Sequence, residues 1–99
     1  MHRMTVQYGQ PEDPAAFDTA YVEKHVPLCR TLPGLRAASI SKPRALGPGE
    51  VPYLVAQLDW DDVDAFKSAM KSTEMAAVAA DADTLAAPRV MFTGEVTTA

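Results

Sequence analysis

At 99 residues the chain is long enough for one domain and too short for two, because two would each bury too little surface to hold a core. A hydrophobic share of 47% with 22% charged residues is that of an ordinary globular protein, and the net charge of -4, with no run of lysines, argues against nucleic acid and anionic membrane as partners. No stretch is apolar for the roughly 18 residues a membrane span needs. One cysteine, Cys29, makes no internal disulfide and suits a reducing, cytoplasmic setting, and the opening MHRMTVQYGQ lacks the apolar stretch of a secretory signal.

Residues Arg3 to Tyr8 alternate, with Met4, Val6 and Tyr8 on one face, and predict a strand. His2 precedes it and is expected to fray. Asp13-Pro14 is a helix start, since Asp caps free N–H groups and Pro at the first helical position loses nothing. From there Phe17, Tyr21, His25, Leu28 and Leu32 form one apolar stripe. Pro27 lacks an N–H and crowds the carbonyl of Glu23, which predicts a kink near residues 23–26. Pro33-Gly34 stops the helix.

A second strand is expected over 35–42 and a third over 53–60, joined by the loop PRALGPGEVP. Asp61 is expected to cap the next helix, whose buried stripe would be Val63, Phe66 and Met70. Ser72 opens a further alanine-rich helix to about Thr84. The last strand, 89–97, alternates Val90, Phe92, Gly94 and Val96 against Met91, Thr93 and Glu95.

The order β-α-β-β-α-β predicts a single α+β domain over 1–99, a ferredoxin-like antiparallel sheet with helices on one face. The other face, read as Thr5, Gln7, Tyr53, Val55, Gln57, Met91 and Thr93, is mixed but uncharged. It predicts a homodimer through the open sheet face.

Two sets of residues resemble a known family. One is Tyr8-Gly9-Gln10-Pro11, Tyr21, His25, Pro27, Leu28 and Leu32-Pro33-Gly34-Leu35. The other is Ser72, Glu74, Ala79, Ala80 and Asp81. Together they resemble the EthD family of the dimeric α+β barrel superfamily. The resemblance implies a homodimer whose two sheets form a barrel, with a ligand cavity between sheet and helices in each subunit. Members commonly carry the label reductase; wider relatives include muconolactone isomerases, cofactor-free monooxygenases of polycyclic phenols, polyketide cyclases and haem-degrading enzymes. The Asn-Phe that often follows the aspartate is absent, and Ala82-Asp83-Thr84-Leu85 stands there instead.

A histidine is titratable near neutral pH, which makes His25 the leading candidate for a proton shuttle. The competing reading is a structural histidine that bonds the carbonyl freed by Pro27. Tyr21, one turn earlier on the same face, is the second catalytic candidate. Tyr8, Tyr53 and Trp60 could offer polar tips to a substrate, or simply pack. Cys29 is four residues after His25 but has no triad around it. His2 and His25 lack the spacing of a metal site, and Asp59, Asp61, Asp62 and Asp64 read as a solvated helix start rather than a cation site.

The expected function is therefore a small enzyme, with no cofactor, acting on an aromatic, lactone or polyketide-like molecule by oxidoreductase or isomerase/cyclase chemistry. A non-catalytic protein that binds a small apolar molecule is the alternative, and haem handling is a third.

Overall fold

The computed structural model describes residues 1–99. Four strands, β1 (His2–Tyr8), β2 (Ala37–Ser41), β3 (Leu54–Trp60) and β4 (Arg89–Glu95), form one antiparallel sheet in the order β2-β3-β1-β4. Helices α1 (Pro14–Ala20), α2 (Val26–Cys29), α3 (Val63–Met70) and α4 (Thr73–Ala82) cover one face. This is the ferredoxin-like α+β arrangement. No helix is long and apolar enough to cross a membrane.

The core lies where the alternation of β1 and β3 meets the helices. Val6, Tyr8, Leu54, Ala56, Leu58 and Trp60 point that way, together with Phe17, Tyr21, Leu32, Ala69, Val78 and Leu85. Trp60 is 0% exposed and donates its indole N–H to the Pro33 carbonyl at 3.0 Å. In the turn that follows, Gly34 adopts φ 71°, the left-handed conformation that favours glycine. Gly9 is required for a different reason. Its N–H donates to Pro88 O at 2.8 Å, and an added Cβ would meet the Pro88 ring at 2.8 Å.

The first helix is not continuous. Asp13 caps α1 through Ala16 N–H, as its sequence predicts. Over Tyr21–His25 the helix then widens to a π turn before α2 begins. Val26 N–H donates to Tyr21 O, five residues back. Pro27 is the physical cause: it cannot donate, and a wider turn relieves its ring from the preceding carbonyls.

Four expectations need correction. Asp62, not Asp61, caps α3, its Oδ1 accepting from Ala65 N–H at 2.8 Å. In α3 the fully buried position is Ala69, while Val63 is exposed. His2 is not frayed; it is a buried member of β1, against Phe66 and within 2.6 Å of Thr93 Oγ1. In β4 the two faces are exchanged. Met91 pairs with Val6 and Thr93 with Met4 on the helix-covered side, so Val90 and Phe92 join Thr5, Gln7, Val55 and Gln57 on the open face.

Candidate functional site

The π turn keeps Tyr21 and His25 one above the other on the buried side of the first helix. Their rings are 5.1 Å apart. His25 is 4% exposed and faces α4, where Asp81, 6% exposed, meets it: Nδ1 and Oδ2 are 2.9 Å apart. Burial pushes the Asp81 carboxyl up, but the hydrogen bond from His25 and the nearby Lys24 ammonium outweigh it and hold the group below the usual carboxylate range. Lys24 Nζ lies 3.2 Å from Oδ1. An ionised carboxylate only accepts, so His25 Nδ1 carries a proton and donates. His25 Nε2 makes no hydrogen bond within the chain. The partner of His25 is thus a carboxylate, not the freed backbone carbonyl that the proline suggests.

On its other flank the same helix borders a cleft of about 360 Å³. Ala56 and Leu58 of β3 and the helix-facing side of β2, Ala38 and Ile40, make its floor. Tyr21, Val26, Cys29 and Arg30 make its wall. The cleft exists because β2 is a sheet edge that no helix covers: Ala38 and Ile40 are exposed although their face is the core face.

The candidate residues therefore separate. Tyr21 lines the cleft; burial holds its phenol neutral, well above the ordinary tyrosine value, and the hydroxyl makes no hydrogen bond within the chain. His25 is placed behind Tyr21, on Asp81, and is not part of the lining. Tyr8 is core: it packs edge-on against Phe17 and Tyr21, and burial pushes its phenol up to about 12. Tyr53 turns its hydroxyl to Asp18 at 2.9 Å, where Lys42 also bonds. Trp60 is taken up by Pro33 and Phe66.

Cys29 lines the cleft, but burial, with a smaller push from Asp81, raises its thiol to about 11, so it stays a neutral thiol. Three of the four aspartates near the start of α3 are also occupied, and Asp64 is exposed. Asp59 takes a bidentate bond from Arg3, Asp61 pairs with Arg36 and Asp62 caps α3. No three His, Cys, Asp or Glu side chains converge as a metal set would.

Asp81 and Arg30 carry no role in the sequence reading. Asp81 did leave a signal: it is an acid on the buried stripe of an alanine helix, one turn from Val78. Arg30 left none, since the cleft beside it forms only when β2 is an uncovered edge.

An EthD domain matches residues 9–89. An uncharacterized 11.0 kDa protein of the thcB-thcC intergenic region of Rhodococcus erythropolis is 37% identical, over 98% of this chain and 97% of its own length. An EthD family protein of Bacillus halodurans is 32% identical, with a TM-score of 0.83 over 98% of this chain and 99% of that one. The fold is shared more widely. SnoaB, a cofactor-independent oxygenase of Streptomyces nogalater, is 16% identical, with a TM-score of 0.73 over 99% of this chain and 94% of its own. With the domain match and the relatives running nearly end to end, the protein belongs to the EthD family.

Proposed function

We propose that the protein is a small-molecule enzyme that works by acid–base chemistry without a cofactor, and that its substrate is an aromatic, lactone or polyketide-like compound bound in the cleft beside Tyr21. The observation that carries this is the buried His25–Asp81 hydrogen bond of 2.9 Å directly behind Tyr21. A carboxylate that fixes Nδ1–H leaves Nε2 as the basic nitrogen, the arrangement a proton carrier needs. Tyr21, neutral at physiological pH, is a donor for a developing enolate or phenolate oxygen. That a cofactor-independent oxygenase has the same fold supports a reading without a cofactor.

The open sheet face supports a homodimer. Val90 is 61% and Phe92 49% exposed there, next to Gln7 and Thr5 of β1, on a face with no helix above it. Two exposed apolar side chains on one strand of an uncovered sheet face favour a second sheet as their cover. The lone cysteine favours a cytoplasmic setting.

A second reading, a non-catalytic binder of a small apolar molecule, is favoured by one observation: the cleft lining includes Tyr21 but not His25. Turnover separates the two. Product formation and oxygen uptake would be followed over a panel of polycyclic phenols and lactones, with no cofactor added. The enzyme reading expects turnover that falls roughly 10²–10⁴-fold in His25→Gln. Binding with no turnover selects the second reading, and equal turnover in the variant removes His25 from the mechanism.

A further inference from the structure

Every charged side chain on the cleft is cationic. Nine of the twelve lining residues are hydrophobic; the others are Arg30, Arg36 and Ser39, and no Asp or Glu is among them. This stands out in a chain of net charge -4. The two arginines differ. Arg36 is already neutralised, its Nε 2.9 Å from Asp61 Oδ1. Arg30 forms no ion pair, and its guanidinium donates no hydrogen bond within the chain.

Arg30 is held in place by its backbone. It ends α2, and its N–H donates to Val26 O at 3.1 Å. Its side chain therefore starts from the same wall as Val26 and Cys29, beside an apolar floor. An unpaired guanidinium at the rim of an apolar cleft is a planar fork that matches a carboxylate.

We propose, resting on the reading of this cleft as the ligand site, that its ligand is an apolar, ring-containing molecule carrying one carboxylate, and that Arg30 binds that carboxylate. The hydrophobic part lies on Ala38, Ile40, Ala56 and Leu58, and the acidic group faces out toward Arg30. In this arrangement Arg30 selects and orients the ligand, while Tyr21 meets it deeper in the cleft. Neutral and cationic molecules of the same shape lose the pairing.

Calorimetric titration at low ionic strength with 2-naphthoate, 2-naphthamide and 2-naphthylmethylamine tests this, using the intact chain and the variants Arg30→Gln and Lys24→Gln. Arg30 bonds nothing else through its side chain, so Arg30→Gln is expected to fold as the parent does, and circular dichroism checks that. The expected result is naphthoate binding roughly tenfold tighter than naphthamide, with the amine weakest. The preference disappears in Arg30→Gln and stays in Lys24→Gln. Equal binding of acid and amide, or a preference that survives Arg30→Gln, overturns the role of Arg30 while leaving the cleft as a ligand site. No binding of any of the three overturns the cleft reading itself, and this inference with it.

Discussion

The two flanks of the first helix present opposite surfaces. Toward α4 the helix is sealed, and a titratable pair, His25 and Asp81, sits with both side chains buried. Toward β2 it is open, and the surface is apolar with unpaired positive charge at the rim. The π turn makes both possible. It lets the chain pass Pro27 while Tyr21 and His25 stay in ring contact, so one residue faces each flank. On the proposed function, the proton carrier is held in a closed layer while the ligand is met on an exposed one, with Tyr21 as the link. Substitutions on the sealed flank should cost stability; those on the open flank should cost binding alone.

The largest effect is expected from Asp81→Ala. It leaves a buried imidazole N–H without a partner, and urea denaturation should show a loss of about 3 kcal/mol. A loss below about 0.5 kcal/mol, the level of ordinary surface substitutions, would mean the flank is not sealed. Next is the open sheet face, where Phe92→Glu places a charge in the proposed subunit contact. Sedimentation should show the dimer replaced by a folded monomer; an unchanged dimer would put the contact elsewhere.

Ile40→Lys acts on the cleft floor. Ile40 is already exposed, so its unfolding free energy should stay within about 0.5 kcal/mol of the parent. Ligand binding should nevertheless weaken by roughly tenfold or more, because the substitution removes apolar floor and fills the cleft. A large stability loss with binding intact would reverse the comparison.

The smallest effect is pH dependence. The Asp81 carboxyl is held below its ordinary value of 3.8, so the folded protein binds this proton less readily than the unfolded chain. Its contribution is present above that value and is lost as pH falls through the lower, folded value. Denaturation midpoints taken from about pH 5 down to about pH 2 should therefore fall, and Asp81→Asn should flatten part of that fall. Asp59, lowered by its hydrogen bonds from Arg3, contributes in the same direction and should keep the remainder.

Much of the fold was legible because the central strands alternate cleanly. Met4, Val6 and Tyr8 in β1, with Leu54, Ala56, Leu58 and Trp60 in β3, leave one choice of inner face. β4 gave no such choice. Val90, Met91 and Phe92 are apolar in succession, so alternation alone cannot say which face is buried, and the register against β1 decides it. At the start of α3, Asp61 and Asp62 are equal candidates by type; Asp62 has the extended backbone of a cap and accepts from Ala65 N–H, while Asp61 pairs with Arg36. The kink near Pro27 was readable from the missing N–H; that it takes the form of a π turn shows only in the Val26 N–H bond to Tyr21 O. The site was half legible. His25 and Tyr21 announced themselves as polar groups on an apolar stripe. Their surroundings did not, because Asp81 is 56 residues away from His25 in the chain and the cleft depends on which strand ends the sheet.

In the proposed function His25 is held by Asp81 through Nδ1–H, leaving Nε2 as the nitrogen that exchanges a proton. Nitrogen-15 NMR of the imidazole at neutral pH measures this directly. The expected result is a slowly exchanging proton on Nδ1 of His25 that loses its protection in Asp81→Asn. A bare Nδ1 with the proton on Nε2 would contradict it, since a lone pair cannot stand 2.9 Å from an ionised carboxylate oxygen.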